Sequence, residues 1–167
     1  MSDSHAATSA TSATSATSAT GRVDALWTKR AHRGVMDARR EVTFVAGRGI
    51  DGNTGRSSTR QVTIIAGEQW RTMMSELGAS VDPGARRANI MVSGVELAQS
   101  RGRVLRLGSV RVRIGGETRP CERMDEALPG LRAAMDAQWR GGAFAEVLDD
   151  GVVTIGDAVT WELESTA

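Results

Sequence analysis

The sequence predicts a mainly β fold, a closed or nearly closed β-barrel with a few short helices. Three observations lead there. Past residue 20, short β-like runs follow one another, each ended by glycine or a polar turn. The run Val110-Arg111-Val112-Arg113-Ile114 alternates strictly, with three β-branched residues on one face and two arginines on the other, so one face is core and the other is wet. Only two stretches carry an apolar stripe at helical spacing. Many strands with few helices favour closure, because a closed barrel leaves no edge free to pair with another chain.

Taken in order, the chain opens with Thr-Ser-Ala triplets over residues 6–20. Nothing there is large enough to bury, so ordering it would cost backbone entropy with no apolar return. Residues 1–20 are read as a disordered tail and 21–167 as one domain. The tail lacks the charged start and leucine-rich stretch of a secretory signal, and no window approaches the length of a membrane span. With a single cysteine, this predicts a cytoplasmic protein without a membrane partner.

Strands are expected at Arg22 to Trp27, Glu41 to Ala46, Gln61 to Ala66, Asn89 to Ser93 and Arg103 to Leu107. Four more fall at Ser109 to Gly115, Ala143 to Leu148, Val152 to Ile155 and Ala158 to Leu163. The segments around Gly108-Ser109 and Gly156-Asp157 both read as hairpins, strand, glycine-polar turn, strand. A helix over Glu68 to Leu77 aligns Trp70, Met73, Met74 and Leu77 on one side, as core filler. A second opens at Pro129, uses Leu131, Ala134, Met135 and Trp139, and stops at Gly141-Gly142.

Net charge is +1, which gives no general case for nucleic acid. Locally, Arg101 to Arg123 holds seven arginines, and Gly141 to Ala167 holds six acids and no base. Of 21 basic residues only Lys29 is lysine, an imbalance that fits coding bias, so arginine count alone proves little.

The chemistry centres on Cys121, the one cysteine, flanked two residues away on each side by Arg119 and Arg123. Nearby guanidinium favours the thiolate, the form that attacks electrophiles, carries sulfur or binds a soft metal. The alternative is a small buried hydrophobe. Around it, three short runs supply what an anionic ligand needs: Arg87-Ala88-Asn89, Thr118-Arg119-Pro120-Cys121 and Arg140-Gly141-Gly142. Arg87 and Arg140 offer guanidinium forks, Asn89 both donates and accepts, and the glycines let backbone amides approach closely. His5 falls in the tail and His32 in a basic loop, so neither adds a ligand.

These runs keep an order that resembles the MOSC domain, the module at the C-terminus of molybdenum cofactor sulfurases, found also in amidoxime-reducing enzymes and as free-standing bacterial proteins. The residues that carry the likeness are Arg87-Ala88-Asn89-Ile90 with Gly94-Val95-Glu96-Leu97, Arg106-Leu107-Gly108, Arg119-Pro120-Cys121, Met124 with Leu128-Pro129-Gly130, Arg140-Gly141-Gly142, and Gly151 to Asp157. The resemblance implies a MOSC-type β-barrel in which Cys121 ligates molybdenum. It also implies that Arg87 and Asn89 contact the molybdenum cofactor, with Thr118, Arg119, Arg140, Gly141, Gly142 and Arg60 as further contacts. One departure stands out. Where members of the family carry Gly-Asp-x-His, this chain reads Gly52-Asn53-Thr54-Gly55.

Two functions follow from the resemblance. In the first, a molybdenum cofactor (molybdopterin) enzyme reduces N-hydroxylated or N-oxide-like small molecules. A single cysteine cannot hold an iron-sulfur cluster, so electrons would come from separate electron-transfer proteins. In the second, Cys121 carries persulfide sulfur from a cysteine desulfurase, whose pyridoxal phosphate belongs to that partner, to a metal centre or cofactor. A third reading is a non-catalytic binding or storage module.

Overall fold

The computed structural model describes residues 20–55 and 57–163, so the tail expected over residues 1–20 lies, but for its last residue, outside the described residues. The strands are β1 (Gly21–Lys29), β2 (Met36–Arg39), β3 (Glu41–Val45), β4 (Gly49–Ile50), β5 (Val62–Ala66), β6 (Ile90–Ser93), β7 (Val104–Leu107), β8 (Val110–Glu117), β9 (Ala143–Val147), β10 (Gly151–Thr154) and β11 (Ala158–Trp161). Three helices, α1 (Gly67–Leu77), α2 (Arg123–Ala127) and α3 (Leu131–Met135), and a 3-10 turn at Pro83–Arg86 complete the order.

Seven strands close a barrel in the circuit β1-β11-β7-β8-β9-β5-β6 and back to β1, with β2 added on β1. The barrel is mixed because β5 and β6 pair in parallel, Ile64 beside Ile90, while the remaining pairs are antiparallel. A parallel pair needs a crossover, and the segment containing α1 provides it. A small second sheet, in the order β10-β3-β4, lies alongside.

Alternation in β8 does what the sequence predicts. Val110, Val112 and Ile114 are buried in the barrel core with Leu105, Leu107, Ile64 and Val159. On the outer face Arg111 pairs with Asp149 at 2.9 Å and Arg113 with Glu146 at 3.4 Å. A second apolar cluster joins the helices, where Trp70, Met73 and Met74 of α1 pack on Met124, Leu131 and Met135. The methionines of α1 are core, as expected.

Three expectations are corrected. The helix expected from Pro129 to Trp139 ends at Met135; Gln138 and Trp139 have φ of 51° and 60°, a left-handed geometry that no α-helix continues through. Trp139 packs on the barrel core rather than on the helical cluster. The second expected hairpin is no hairpin, since β10 pairs with β3 and β11 with β7 and β1. The Gly156-Asp157 turn instead inserts beside β1: Val23 donates to the Asp157 carbonyl at 2.9 Å and Gly156 donates to the Val23 carbonyl at 2.8 Å. Strands β2 and β4, helix α2 and the 3-10 turn are additions to the sequence reading.

Candidate functional site

Strand β1 runs two residues past its expected end and stops at Lys29. There it meets the loop that leads to β5. The Lys29 amide donates to Asn53 Oδ1 at 2.8 Å, and its carbonyl accepts from the Thr54 amide at 2.8 Å and Thr54 Oγ1 at 3.2 Å. The backbone of Lys29 is thus clamped from both sides. Gly55, at φ 83°, lies under the side chain: a Cβ added there would sit 2.9 Å from Lys29 Nζ. Asn53, Thr54 and Gly55 therefore form a wall of this site, with the lysine head over Gly55.

A cleft of about 160 Å³ opens here, where β1 ends and β5 and β6 begin; Lys29, Asn53, Arg60, Thr63, Arg87 and Asn89 line it. Past Met36 and Arg87 it continues into a wider depression of about 590 Å³, bordered by Trp27, Val35, Arg123 and Glu126. Asn89 braces the floor: its Oδ1 accepts from the Thr63 amide at 3.1 Å, its Nδ2 donates to the Trp27 carbonyl at 3.3 Å, and its own backbone bonds to both neighbours. Most of its polar capacity holds β1, β5 and β6 in register. What remains for a ligand is the second Nδ2 proton.

The 3-10 turn before β6 sends two adjacent arginines in different directions. Asp82 caps the turn by accepting from the Gly84 amide at 2.7 Å. Arg87, at φ 67°, reverses the chain, and its Nη2 donates to the Gly34 carbonyl at 2.7 Å while lining the cleft. Arg86 turns inward and is buried. Its Nε donates to the Gly141 carbonyl at 3.0 Å, its Nη2 to the Thr118 carbonyl at 3.5 Å, and its Nη1 meets Met124 Sδ at 3.8 Å. The guanidinium thereby holds both ends of the segment that carries Cys121.

Among the described residues, no carboxylate lies within ion-pair distance of Lys29, Arg60, Arg86, Arg87 or Arg123. Burial, reinforced by the charges of Arg87 and Arg123, holds the Lys29 pKa below the ordinary lysine value. Burial also lowers that of Arg87, with Arg123 adding to it. For Arg86, burial lowers the pKa to about 10; the nearby Cys121 opposes this and Arg60 adds to it. Two groups of cations without a carboxylate partner therefore meet at the cleft through Lys29, Arg87 and Arg60, one extending to Arg123 and the other, through Arg86, to Cys121. Such a cluster lacks an anion.

Cys121 is free and exposed, on the loop between β8 and α2, so the buried-hydrophobe alternative is overturned. Thr118 is buried, and its Oγ1 has no hydrogen-bond partner among the described residues. The other expected contacts lie elsewhere. Arg119 is exposed and pairs with Asp136 at 3.4 Å. Arg140 makes a two-pronged pair with Glu76 at 2.9 and 3.0 Å, tying α1 to the turn after α3. Gly141 and Gly142 serve close packing: a Cβ on the first would run into the Thr118 carbonyl, and one on the second into the Ile64 carbonyl. The Gly142 amide already donates to the Trp139 carbonyl at 2.9 Å. Arg60 lies over the Phe144 ring, 4.7 Å from its centre, and keeps its place in the cleft.

Sequence reasoning missed Lys29, Asn53, Arg86 and Arg123 as members of this cluster. The one available signal was the uniqueness of Lys29 in a chain otherwise supplied with arginine.

The fold is a mixed seven-strand β-barrel with a cationic cleft at one end of β1. Comparison with known proteins gives its family. Residues 31–160 match the MOSC domain, and the chain belongs to that family. Among solved structures it is similar to the YuaD protein of Bacillus subtilis, with a TM-score of 0.71 and 22% identity over 84% of this chain and 94% of that one. It is also similar to YiiM of Geobacillus stearothermophilus, with a TM-score of 0.69 and 15% identity over 86% and 75% of the two chains. YiiM of Escherichia coli gives 0.64 and 14% over 87% and 72%. At these identities the likeness is one of fold. A search of curated protein sequences returns no match.

Proposed function

We propose that this protein binds the molybdenum cofactor and reduces N-hydroxylated or N-oxide-like small molecules. The observation that carries the reading is the cluster of Lys29, Arg60, Arg86, Arg87 and Arg123 without a carboxylate partner, set beside an exposed free thiol. The residues fit the group. A phosphate answers the uncompensated charge, with guanidinium forks suited to its oxygens. The depression past Met36 and Arg87 gives room for an organic moiety. A metal that arrives with its own chelating ligand would need one thiolate from the protein, and the exposed Cys121 could give it.

When bound, the cofactor would supply two-electron redox chemistry. The protein's part is to hold and orient it. Arg60, Arg87 and Lys29 would neutralise its phosphate. Asn89, itself in the cleft lining, would fix the strand ends that carry them. Arg86 holds the segment from Thr118 to Met124, which sets where the Cys121 sulfur stands. Electrons would come from separate electron-transfer proteins. The test is molybdenum and pterin analysis of the protein purified from a host that makes the cofactor. Stoichiometric molybdenum with oxidised-pterin fluorescence is expected; protein free of both in that host contradicts the reading.

The exposure of Cys121 favours a second reading, sulfur carriage. A thiol that a partner protein can reach could accept sulfane sulfur from a pyridoxal-phosphate-dependent cysteine desulfurase. Intact mass after incubation with such an enzyme would show one added sulfur, lost in Cys121→Ser.

A further inference from the structure

We propose that Phe144 is a positioning residue of the cationic cleft: its ring holds the Arg60 guanidinium in place before an anion arrives. The proposal rests on the phosphate-binding part of the reading above and on no step at the metal.

Phe144 stands on the outer face of β9, opposite Gly116 of β8 and beside Thr63 of β5, which lines the cleft. The pairing of β8 with β9 slips between Ile114 and Gly116. A bulge that carries two glycines presents bare backbone, and the ring occupies the space that side chains would take. A Cβ added to Gly115 would come 2.5 Å from Phe144 Cε2, and one added to Gly116 would come 3.2 Å from Cε1 and Cζ. The ring is thus seated on strand backbone. Over it lies Arg60, its guanidinium carbon 4.7 Å from the ring centre.

The main chain of Arg60 is fixed as well. Its amide donates to Ser57 Oγ at 3.0 Å, and its carbonyl accepts from the Ser57 amide at 3.1 Å. The next residue, Gln61, is buried; its Nε2 donates to the Ser58 carbonyl at 2.9 Å and its Oε1 accepts from the Val147 amide at 2.8 Å. A free arginine gives up much rotamer freedom when it grips an anion. Here backbone and ring restrict that freedom in advance, which is preorganisation.

The chemistry of the holder matters as much as the holding. Elsewhere in the fold arginines are fixed by acids, Arg140 by Glu76 and Arg111 by Asp149. Those charges are spent. A ring attracts the cation through its quadrupole and neutralises nothing, and among the described residues no side-chain N–H of Arg60 has a hydrogen-bond acceptor. Charge and fork stay available for a phosphate.

The test is calorimetric titration of inorganic phosphate into the cofactor-free full chain at low salt, with a phosphate-free melting curve to show that each variant is folded. Phe144→Leu keeps apolar bulk without the ring and should weaken phosphate by about two- to fivefold, the usual worth of an exposed cation-π contact. Phe144→Tyr keeps the ring and should bind phosphate as wild type does. Arg60→Gln should bind more weakly than wild type, and adding Phe144→Leu to it should cost nothing further, because the ring acts through that guanidinium. Equal losses from Phe144→Leu in both backgrounds would make the ring a general structural element and overturn the proposal. Unchanged affinity in Phe144→Leu, or lost affinity in folded Phe144→Tyr, would overturn it too, while Arg60 kept its place. Wild type without affinity for phosphate, or full affinity in Arg60→Gln, overturns instead the reading of Arg60 as an anion ligand, and the proposal with it.

Discussion

The Arg86 guanidinium donates to the Gly141 carbonyl at 3.0 Å inside the protein, and no described carboxylate lies within ion-pair distance to balance it. A buried cation satisfied only by carbonyls and a thioether keeps its hydrogen bonds but not its charge neutrality. Its depressed pKa, about 10, expresses that cost. The cost is present at all pH values below about 10 and relaxes as pH rises above it, because there the unfolded chain, with its ordinary arginine pKa, still holds the proton that the folded one has released. An anion bound nearby would relieve it at neutral pH.

Inorganic phosphate and pyrophosphate are therefore expected to raise the melting temperature of the cofactor-free protein at low salt. At a ligand concentration a hundredfold above Kd the linkage is worth about 2.7 kcal/mol. Arg87→Gln and Arg60→Gln should each weaken the effect, and added salt should weaken it too. Differential scanning fluorimetry over a phosphate series checks this; a melting temperature indifferent to both anions would contradict it.

Arg140→Gln should behave differently. Its guanidinium is committed to Glu76, so the variant should lose a helix tie and leave the phosphate-induced shift intact. Side-by-side phosphate titrations of Arg140→Gln and Arg87→Gln distinguish the two roles.

Gly142→Ala should be among the most disruptive small changes. It would place a Cβ against the Ile64 carbonyl at a φ of 96°, a backbone region that alanine avoids. A loss of about 3 kcal/mol or more in urea unfolding is expected, with strain and backbone displacement combined. Asn89→Ala should also destabilise, by about 1–3 kcal/mol, because the Thr63 amide and Trp27 carbonyl lose a buried partner.

On the barrel wall, Asp149 accepts from both the backbone and the guanidinium of Arg111, chiefly through the side-chain bond, and its pKa is held below the ordinary carboxylate value. A depressed acid stabilises the fold above its unfolded pKa and ceases to do so as pH falls through its folded one. Asp149→Asn should thus melt earlier than wild type at pH 7, and the two curves should converge in strong acid. Parallel melts across that range check the sign.

The barrel was legible because its signal is local. Alternation in Val110 to Ile114 and the stripe from Trp70 to Leu77 each report burial within a few residues. The cleft was only half legible because it is assembled from chain segments far apart in sequence. Lys29, Asn53, Arg60 and Arg87 meet only once β1, β5 and β6 are in register, and nothing near Lys29 in Lys29-Arg30-Ala31-His32-Arg33 marks it as more than surface charge. Arg86 and Arg87 are adjacent and chemically identical, yet Arg86 is buried while Arg87, at a positive φ, lines the cleft, and local pattern does not encode the difference. Gly141 and Gly142 read as a helix stop or an anion cradle, yet they are small because Thr118 and Ile64 pass so close.

The central claim is that the cationic cleft and Cys121 act on one ligand, the first holding its phosphate and the second its metal. The molybdenum-to-pterin ratio of Cys121→Ser, purified beside wild type from a cofactor-producing host, tests it most directly. The account expects stoichiometric molybdenum in wild type and, in Cys121→Ser, retained pterin with most of the molybdenum gone. Full molybdenum in Cys121→Ser would contradict it.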